Sequence, residues 1–449
     1  MLRGAPSRRG GGVILAAPSS GSGKTLVTLG LLRLLRDRGL RVAAAKTGPD
    51  YIDPTFHAAA SGGVCLNLDV WAMRDATLRA LVDRLESAAD IVLCEGVMGL
   101  FDGTGPDGET GSTAALARLT GWPVVLVVDA RRQGASAAAL VAGFARHDPA
   151  VPLAGVVFNR VAGSRHHALL KTALTRHLPG LPRFGAVLQD PALTLPERHL
   201  GLVPAGEQRC EAAVARAADA VSAGLDIELL LALARPAATG DPRQAAGPPL
   251  PPLGRHIAVA RDDAFVFVYP SVLRGWRDAG AELSFFSPLA DEAPDPAADA
   301  VYLPGGYPEL HAGRLAASDR FLGGLRQAAR ERKTIYGECG GYMVLGGTLT
   351  AADGRVHRMA GLLPLATSFA ERRLHLGYRA ARLLADGPLG IAGTRFRGHE
   401  FHYATTVLAG DAAPLFAVAD AGGVDFGSAG LRRGPVSGSF VHLIDRAED

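Results

Sequence analysis

Short, nearly unbroken apolar runs alternate along the first half of the chain with longer stretches whose apolar residues recur every three or four positions. The runs are "GVILAA", "RVAAA", "DIVLCEG", "WPVVLVVDA" and "PLAGVVFNRV", and the first is followed by a helical pattern from about Lys24 to Arg36. Strands this continuously apolar are buried on both faces, which predicts a doubly wound, mostly parallel α/β sheet. The pattern then breaks. "PAATGDPRQAAGPPLPPLG", residues 236–254, holds six prolines and three glycines in 19 residues, a composition that excludes a continuous helix or a central strand. Beyond it the same grammar restarts with "HIAVA", "AELSFFS", "DAVYLPGG" and "TIYGE". Two α/β domains are therefore expected, residues 11–235 and 255–446, joined by a Pro-rich linker over 236–254.

Composition narrows the classes. A chain of 449 residues, 48% hydrophobic, can bury more than one core. Its net charge of only +3 supplies no field that would argue for nucleic acid or an anionic membrane. The four cysteines, Cys65, Cys94, Cys210 and Cys339, have neither paired metal spacing nor the density of a disulfide scaffold, so a reducing cytoplasm is expected. The basic start "MLRGAPSRRGGG" runs into too short an apolar stretch for a secretory signal or a membrane span and reads as a loose leader.

Two stretches carry candidate chemistry. In "GVILAAPSSGSGKTLVTLGLLRLLRDRG" a Gly- and Ser-rich turn lies between a strand and a helix, where backbone N–H groups and a helix N-terminus can cradle phosphate. Gly21, Ser22 and Gly23 would supply the cradle, Lys24 would reach the terminal phosphates and the Thr25 hydroxyl would ligate Mg²⁺. The strict first glycine of such a loop is absent, with Ala17 and Pro18 in its place. Acidic residues recur where neighbouring strands should end: Asp50 and Asp53 in "KTGPDYIDP", Glu95 in "CEGVMG" and Asp102 in "GLFDG". Together they point to metal or transfer chemistry, although any one of them is as readily a turn or N-cap residue.

In the second half, "TIYGECGGYMVLGG" sets Cys339 on a tight strand-to-helix turn, with its thiol expected at an exposed apex and its thiolate favoured by the helix start. "LPGGYPE" puts Gly305 and Gly306 at another strand end, where backbone N–H groups could stabilise an oxyanion, and "GSFVHLID" offers His442 on a strand as the base. A buried inert cysteine and a satisfied core histidine are the bland alternatives.

The ordered motifs "SSGSGKT", "KTGPDYIDPTFH", "NLDVWAM", "CEGVMGLFDG", "GSTAALA", "GVVFNRV", "ERHLGLVPA", "FSPLADE", "LPGGYPELHA", "GECGGYMVLG", "HLGYR", "RGHEFHY" and "SFVHL" run through nearly the whole chain. Together they resemble the cobyrinic acid or hydrogenobyrinic acid a,c-diamide synthases of cobalamin biosynthesis. The resemblance implies an ATP-dependent synthetase domain, P-loop NTPase-like and similar to dethiobiotin synthetase, joined to a class I glutamine amidotransferase domain. ATP and L-glutamine would be cosubstrates, Mg²⁺ the cofactor and a corrinoid tetrapyrrole the substrate, with an internal path for ammonia. No nucleic acid or membrane partner is implied, and a homodimer is compatible with it.

Carried over by position, Lys24 and Thr25 become ATP and Mg²⁺ groups, and Glu95 and Asp53 metal carboxylates. Asp50, Asp53 and Asp102 take on metal, substrate or intermediate handling in an unassigned division. Asn159 resembles the position that reads adenine, Cys339 the glutamyl thioester nucleophile, His442 its base and Gly306 an oxyanion donor. One departure stands out: where related glutaminases carry Glu two residues past the histidine, this chain has Ile444, and Asp445 should face the other way. The arginines of "ERRLHLGYR" and "RFRGHEFHY", namely Arg372, Arg373, Arg379, Arg395 and Arg397, could pair with substrate carboxylates. Nickel-sirohydrochlorin diamide synthases, cobyric acid synthases and phosphate-loop switch ATPases with a docking module are the competing readings.

Overall fold

The computed structural model describes residues 9–105, 107–193, 197–198, 201–202, 208–238 and 247–448. Residues 1–8 of the stretch expected to be a leader, most of "ERHLGLVPA" and the middle of the Pro-rich stretch lie outside them; the last two residues of that expected leader, Gly11 and Gly12, instead open the first strand. The chain divides into two compact units, the first ending at Ala245, with the three residues Ala72–Arg74 grouped with the second.

Among the described residues the first unit is built on a seven-stranded sheet ordered β3-β2-β4-β1-β5-β6-β7. Its strands are β1 (Gly11–Ala16), β2 (Val42–Thr47), β3 (Cys65–Leu68), β4 (Ile91–Glu95), β5 (Val124–Asp129), β6 (Leu153–Val161) and β7 (Arg183–Leu188). All adjacent pairs run parallel. The apolar runs explain this, since β1 is buried at every position and Val124–Val128 of β5 likewise. Helix α1 (Lys24–Asp37) follows β1 and buries Val27, Leu31 and Leu35. It approaches a second helix, Gln208–Gly224, so closely that a Cβ on Gly30 would lie 2.6 Å from the Ala217 carbonyl oxygen. The strand order puts the C-terminal ends of β2, β4 and β1 side by side. Lys46 pairs in register with Glu95, and Glu95 with Leu15.

The second unit carries a ten-stranded mixed sheet. Five parallel strands come first, ordered Glu282–Phe286, His256–Ala260, Ala300–Leu303, Thr334–Glu338 and Val436–Ser439. Antiparallel pairing continues through Asp425–Arg433, Ala413–Ala419, His375–Leu383 and Arg395–His402 to Val441–Arg446. Only Phe440 separates the fifth strand from the tenth. The antiparallel half must therefore curl back on the parallel half, and this brings Val441–Arg446 beside the turn at Cys339.

Both described ends of the Pro-rich stretch are tied down within their own units. Ala237 N donates to Glu86 Oε1 and Ala238 N to the Thr120 carbonyl in the first, while Trp276 Nε1 donates to the Pro251 carbonyl in the second. Within the second unit, the fully buried Asp445 accepts from Arg74 N at 2.9 Å and Arg74 Nε at 3.0 Å, and so faces away from the imidazole of His442, as strand alternation requires. Removing the guanidinium takes a charged hydrogen-bond partner from a buried carboxylate. Arg74→Ala is expected to lower stability by about 3 kcal/mol or more, measured by urea unfolding.

Candidate active site

The phosphate loop forms despite Ala17 and Pro18. Gly21 and Gly23 take φ of 76° and 86°, left-handed values that suit glycine, and α1 begins at Lys24. Lys24 Nζ donates to the Met98 carbonyl at 2.5 Å, and burial lowers its pKa, partly offset by Glu95. Ser22 Oγ donates to the Ser19 carbonyl at 2.8 Å.

Beside the loop lies a buried ionic cluster. Glu95 Oε1 accepts from Thr25 Oγ1 at 2.7 Å and from Lys46 Nζ at 2.9 Å, and Oε2 lies 2.6 Å from His57 Nε2. Lys46 also donates to Asp53 Oδ2 at 2.6 Å and lies 4.0 Å from Asp50 Oδ2. Burial alone would raise Glu95, but Lys46 and His57 outweigh it and hold the carboxylate well below its usual range. Burial and the neighbouring Asp53 push Asp50 up to about 7. Asp50 also bonds the Ile52 and Asp53 amides at the start of helix Asp53–Ser61, so it is a turn residue as well as a site residue.

The structure thus brings Thr25, Glu95, Asp53 and Asp50 together. Asp102 is exposed and accepts from Gly99 N at 2.9 Å, which makes it the brace of its own turn, facing Lys24. Asn159 reaches the loop itself: Nδ2 donates to the Ser22 carbonyl at 2.9 Å, and Oδ1 accepts from Arg160 N. Lys46 and His57 are site residues the motifs contained without marking. A lysine ending the apolar run "AAAKT" was a usable signal; His57, in a helix, was not.

In the second unit Cys339 takes φ 46° and ψ −104°, a strained conformation for a residue with a Cβ. It is 2% exposed, so the apex is buried rather than open to solvent as the turn pattern predicts. Burial pushes its thiol well up, Glu309 and Glu400 add to that, and the Gly340 N–H beside the sulfur opposes it. The helix that follows, Gly340–Leu345, has six residues and does not overcome desolvation. The resting group is a neutral thiol, and a thiolate requires a base. His442 is neutral as well: burial and the neighbouring His399 and His402 drive its pKa down to about 3, so the imidazole is unprotonated.

Glycines make room for this pair. A Cβ on Gly305 would lie 2.3 Å from His442 Cε1 and 3.2 Å from Cys339 Cβ. On Gly306 it would lie 2.1 Å from the Ala264 carbonyl oxygen, and one on Gly340 would come within 3.0 Å of the Gly306 amide nitrogen. The Gly340 amide lies beside the sulfur, and the close approach of Gly340 to Gly306 sets the Gly306 amide next to the same turn.

The strand Arg395–His402 covers the site, with the Phe401 carbonyl 3.8 Å from Cys339 Sγ. Its Glu400 binds Arg379 Nε at 2.7 Å and His402 Nε2 at 2.9 Å. Arg379, expected to meet a substrate carboxylate, is thus already paired inside the unit and stacks on Phe426 at 4.8 Å. His375, Glu400 and His402 lie close enough to share an ion. However, the His375 and His402 rings stack with only 10° between their planes, so their in-plane lone pairs do not converge.

Residues 13–203 match the CobQ/CobB/MinD/ParA nucleotide binding domain family, and residues 256–449 the CobB/CobQ-like glutamine amidotransferase domain family. Hydrogenobyrinate a,c-diamide synthase of Rhizobium meliloti (strain 1021) is 55% identical over 442 residues, covering 97% of this chain and 100% of that protein. The chain belongs to the hydrogenobyrinate a,c-diamide synthase family. The family's enzyme from Rhodobacter capsulatus is 55% identical over 436 residues, 96% of this chain and 98% of its own. That from Mesorhizobium japonicum is 53% identical over 439 residues, at 97% and 98%. As a family member the chain is an ATP-dependent amidating ligase with glutamine as nitrogen donor. Among the described residues no helix is long and apolar enough to cross a membrane.

Two outcomes follow from the crowding and burial. Gly305→Ala should displace the imidazole and reduce glutamine hydrolysis by about 10²-fold or more, read by glutamate release. His399 and His442 are buried with pKa values lowered to about 4 and about 3, while the unfolded chain protonates them near pH 6.5. Their contribution to stability is complete above about pH 6.5 and is lost as pH falls towards about 4. His399→Gln should therefore lose less stability than the parent protein over that window in urea unfolding.

Proposed function

We propose that the chain amidates the a and c acetate side chains of hydrogenobyrinic acid or its cobalt-bearing counterpart, cobyrinic acid, using ATP and glutamine. The observation that carries this reading is the presence in one chain of a phosphate loop beside the Glu95–Lys46 cluster and a Cys339–His442 pair crowded by Gly305. Full-length relatives named for hydrogenobyrinate support the substrate.

In the first unit Gly21, Ser22, Gly23 and Lys24 hold the ATP phosphates. Asn159 braces the loop and, from the same position, serves the adenine base. Thr25, Glu95 and Asp53 form a hard oxygen donor set that suits Mg²⁺, which when bound neutralises charge on the terminal phosphates. The fit rests on Thr25 Oγ1 and Glu95 Oε1 lying 2.7 Å apart. On this reading Lys46, held between Asp53 and Glu95, and Asp50 and Asp102 handle the acceptor carboxylate and the transferred phosphoryl group. A substrate carboxylate oxygen attacks the γ-phosphorus and ADP leaves. Ammonia then adds to the carbonyl carbon of the acyl phosphate and expels phosphate. Without that activation the carboxylate resists attack, being anionic and having only oxide to expel.

In the second unit His442 Nε2 removes the Cys339 proton as the sulfur attacks the glutamine side-chain carbonyl. The Gly306 and Gly340 amides receive the oxyanion, and the imidazolium returns its proton to the departing nitrogen as ammonia leaves. Water, deprotonated by the same imidazole, then releases glutamate from the thioester. Ammonia passed on without reaching solvent avoids protonation to ammonium, which has no lone pair with which to attack.

Cys339→Ala should reduce glutamine-supported amidation by at least about 10³-fold while ammonium salts still support it, and Glu95→Ala should damage both. Cobyrinic acid, hydrogenobyrinic acid and sirohydrochlorins supplied in parallel, with products read by mass spectrometry, test the substrate. Two additions of amide mass to the first two and none to the sirohydrochlorins is the expected result. Amidation of a sirohydrochlorin alone overturns it.

A further inference from the structure

His442 can act as a base only as the tautomer with its proton on Nδ1 and its lone pair on Nε2, and some group must hold it so. Ile444, two residues on, is 1% exposed and has no acceptor. Two nearby carboxylates are committed to cations, Asp445 to Arg74 and Glu400 to Arg379.

Glu338, immediately before Cys339, is placed differently. It is 2% exposed, and its Oε2 lies 4.0 Å from His442 Nδ1. Neutral donors anchor it: Tyr302 Oη donates to Oε2 at 2.8 Å, and Leu443 N to Oε1 at 3.1 Å. The second anchor belongs to the residue after His442, so the carboxylate is tied to the strand that carries the imidazole.

Consecutive residues of a regular strand face opposite ways, but the positive φ at Cys339 breaks that alternation. As a result, Glu338 meets the Nδ1 edge of the imidazole, while Cys339 lies near its other side, where Gly305 keeps space for Cε1 and Nε2.

We propose that Glu338 is the positioning carboxylate of the glutaminase site: it holds the Nδ1 proton of His442 and stabilises the imidazolium formed when Cys339 gives up its proton. The inference rests on Cys339 and His442 being that site. The S–H bond breaks as Nε2–H forms, the Nδ1 proton stays on nitrogen, and Glu338 remains a carboxylate throughout. The 4.0 Å separation closes to a hydrogen bond when glutamine is bound, as such contacts do on substrate binding.

Burial pushes Glu338 up to about 7, with Tyr302 and Tyr336 pulling the other way. Both phenols are raised well above their ordinary range and stay neutral, and His399 is driven down to about 4. Among the described residues His402, Glu400 and Cys339 also face the imidazole. Glutaminase activity should therefore rise with pH as Glu338 ionises.

The test compares Glu338→Gln and Glu338→Asp with the parent enzyme. Glutamine hydrolysis is measured across pH and expressed relative to ammonium-supported amidation by the same preparation. Glu338→Gln should lower kcat by about 10²-fold or more, leave KM for glutamine within about threefold and flatten the acidic limb; Glu338→Asp should restore part of the rate. The rate of Cys339 alkylation by iodoacetamide should turn upward at a higher pH in Glu338→Gln than in the parent. Independently of any variant's folding, ¹⁵N spectra of histidine-labelled parent enzyme at about pH 8, with glutamate bound, should show His442 as the Nδ1–H tautomer. Parental kcat and an unchanged alkylation profile in Glu338→Gln, or an Nε2–H tautomer for His442, overturns the proposal. Cys339→Ala that still uses glutamine overturns the underlying site reading instead.

Discussion

A carboxylate removed from water stays ionised only where cations and donors replace its hydration, and Glu95 is such a group. It has no exposed surface, yet Lys46, His57 and Thr25 hold it charged. These partners come from separate pieces of sequence: Thr25 from the start of α1, Lys46 from the end of β2 and His57 from the helix Asp53–Ser61. The strand order that sets β2, β4 and β1 side by side is thus a condition for the cluster to exist at all. Conversely, the cluster fixes how those three strand ends meet, because a slip in register would leave a buried charge alone. The same arrangement holds Lys24 and the loop glycines against the carboxylates that phosphoryl transfer needs.

The second unit meets a different constraint, which is space. Cys339, His442 and the backbone of Gly305 are so close that a methyl group at Gly305 would overlap the imidazole, and one at Gly306 would overlap the Ala264 carbonyl. Burial leaves both groups neutral at rest, the thiol pushed up and the imidazole pushed down. In the proposed reaction, charge separates only when the thiol proton moves to nitrogen. The strain stored at Cys339 aims consecutive side chains at one imidazole, which an ordinary strand could not do.

The two units solve complementary problems. An amide is cleaved by a nucleophile that needs a dry, neutral resting site; an acid is activated by a nucleotide that needs dense, compensated charge. The two environments differ accordingly, with compensated charge around Glu95 and a neutral, buried thiol at Cys339.

Much of this was legible in the residues alone. Continuous apolar runs specified parallel strands, and the strands "HIAVA" and "TIYGE" begin and end where the pattern says, because burial on both faces leaves no other use for such segments. Lys24, Thr25, Glu95, Cys339 and His442 were visible because local motifs mark them. His57 and Glu338 were not, since a lone histidine or glutamate acquires meaning only from what the fold brings to it, and Lys46 was marked only by its place at the end of an apolar run. The buried state of Cys339 was misjudged for a related reason: the strand that covers it, Arg395–His402, lies more than fifty residues away in the chain. The sequence by itself determined the elements and the type of chemistry, because these depend on periodicity and on residues adjacent along the backbone. Only the tertiary structure decided which charges are paired, which groups are neutral and which carboxylate faces the histidine, because desolvation and Coulomb energy depend on distance in space.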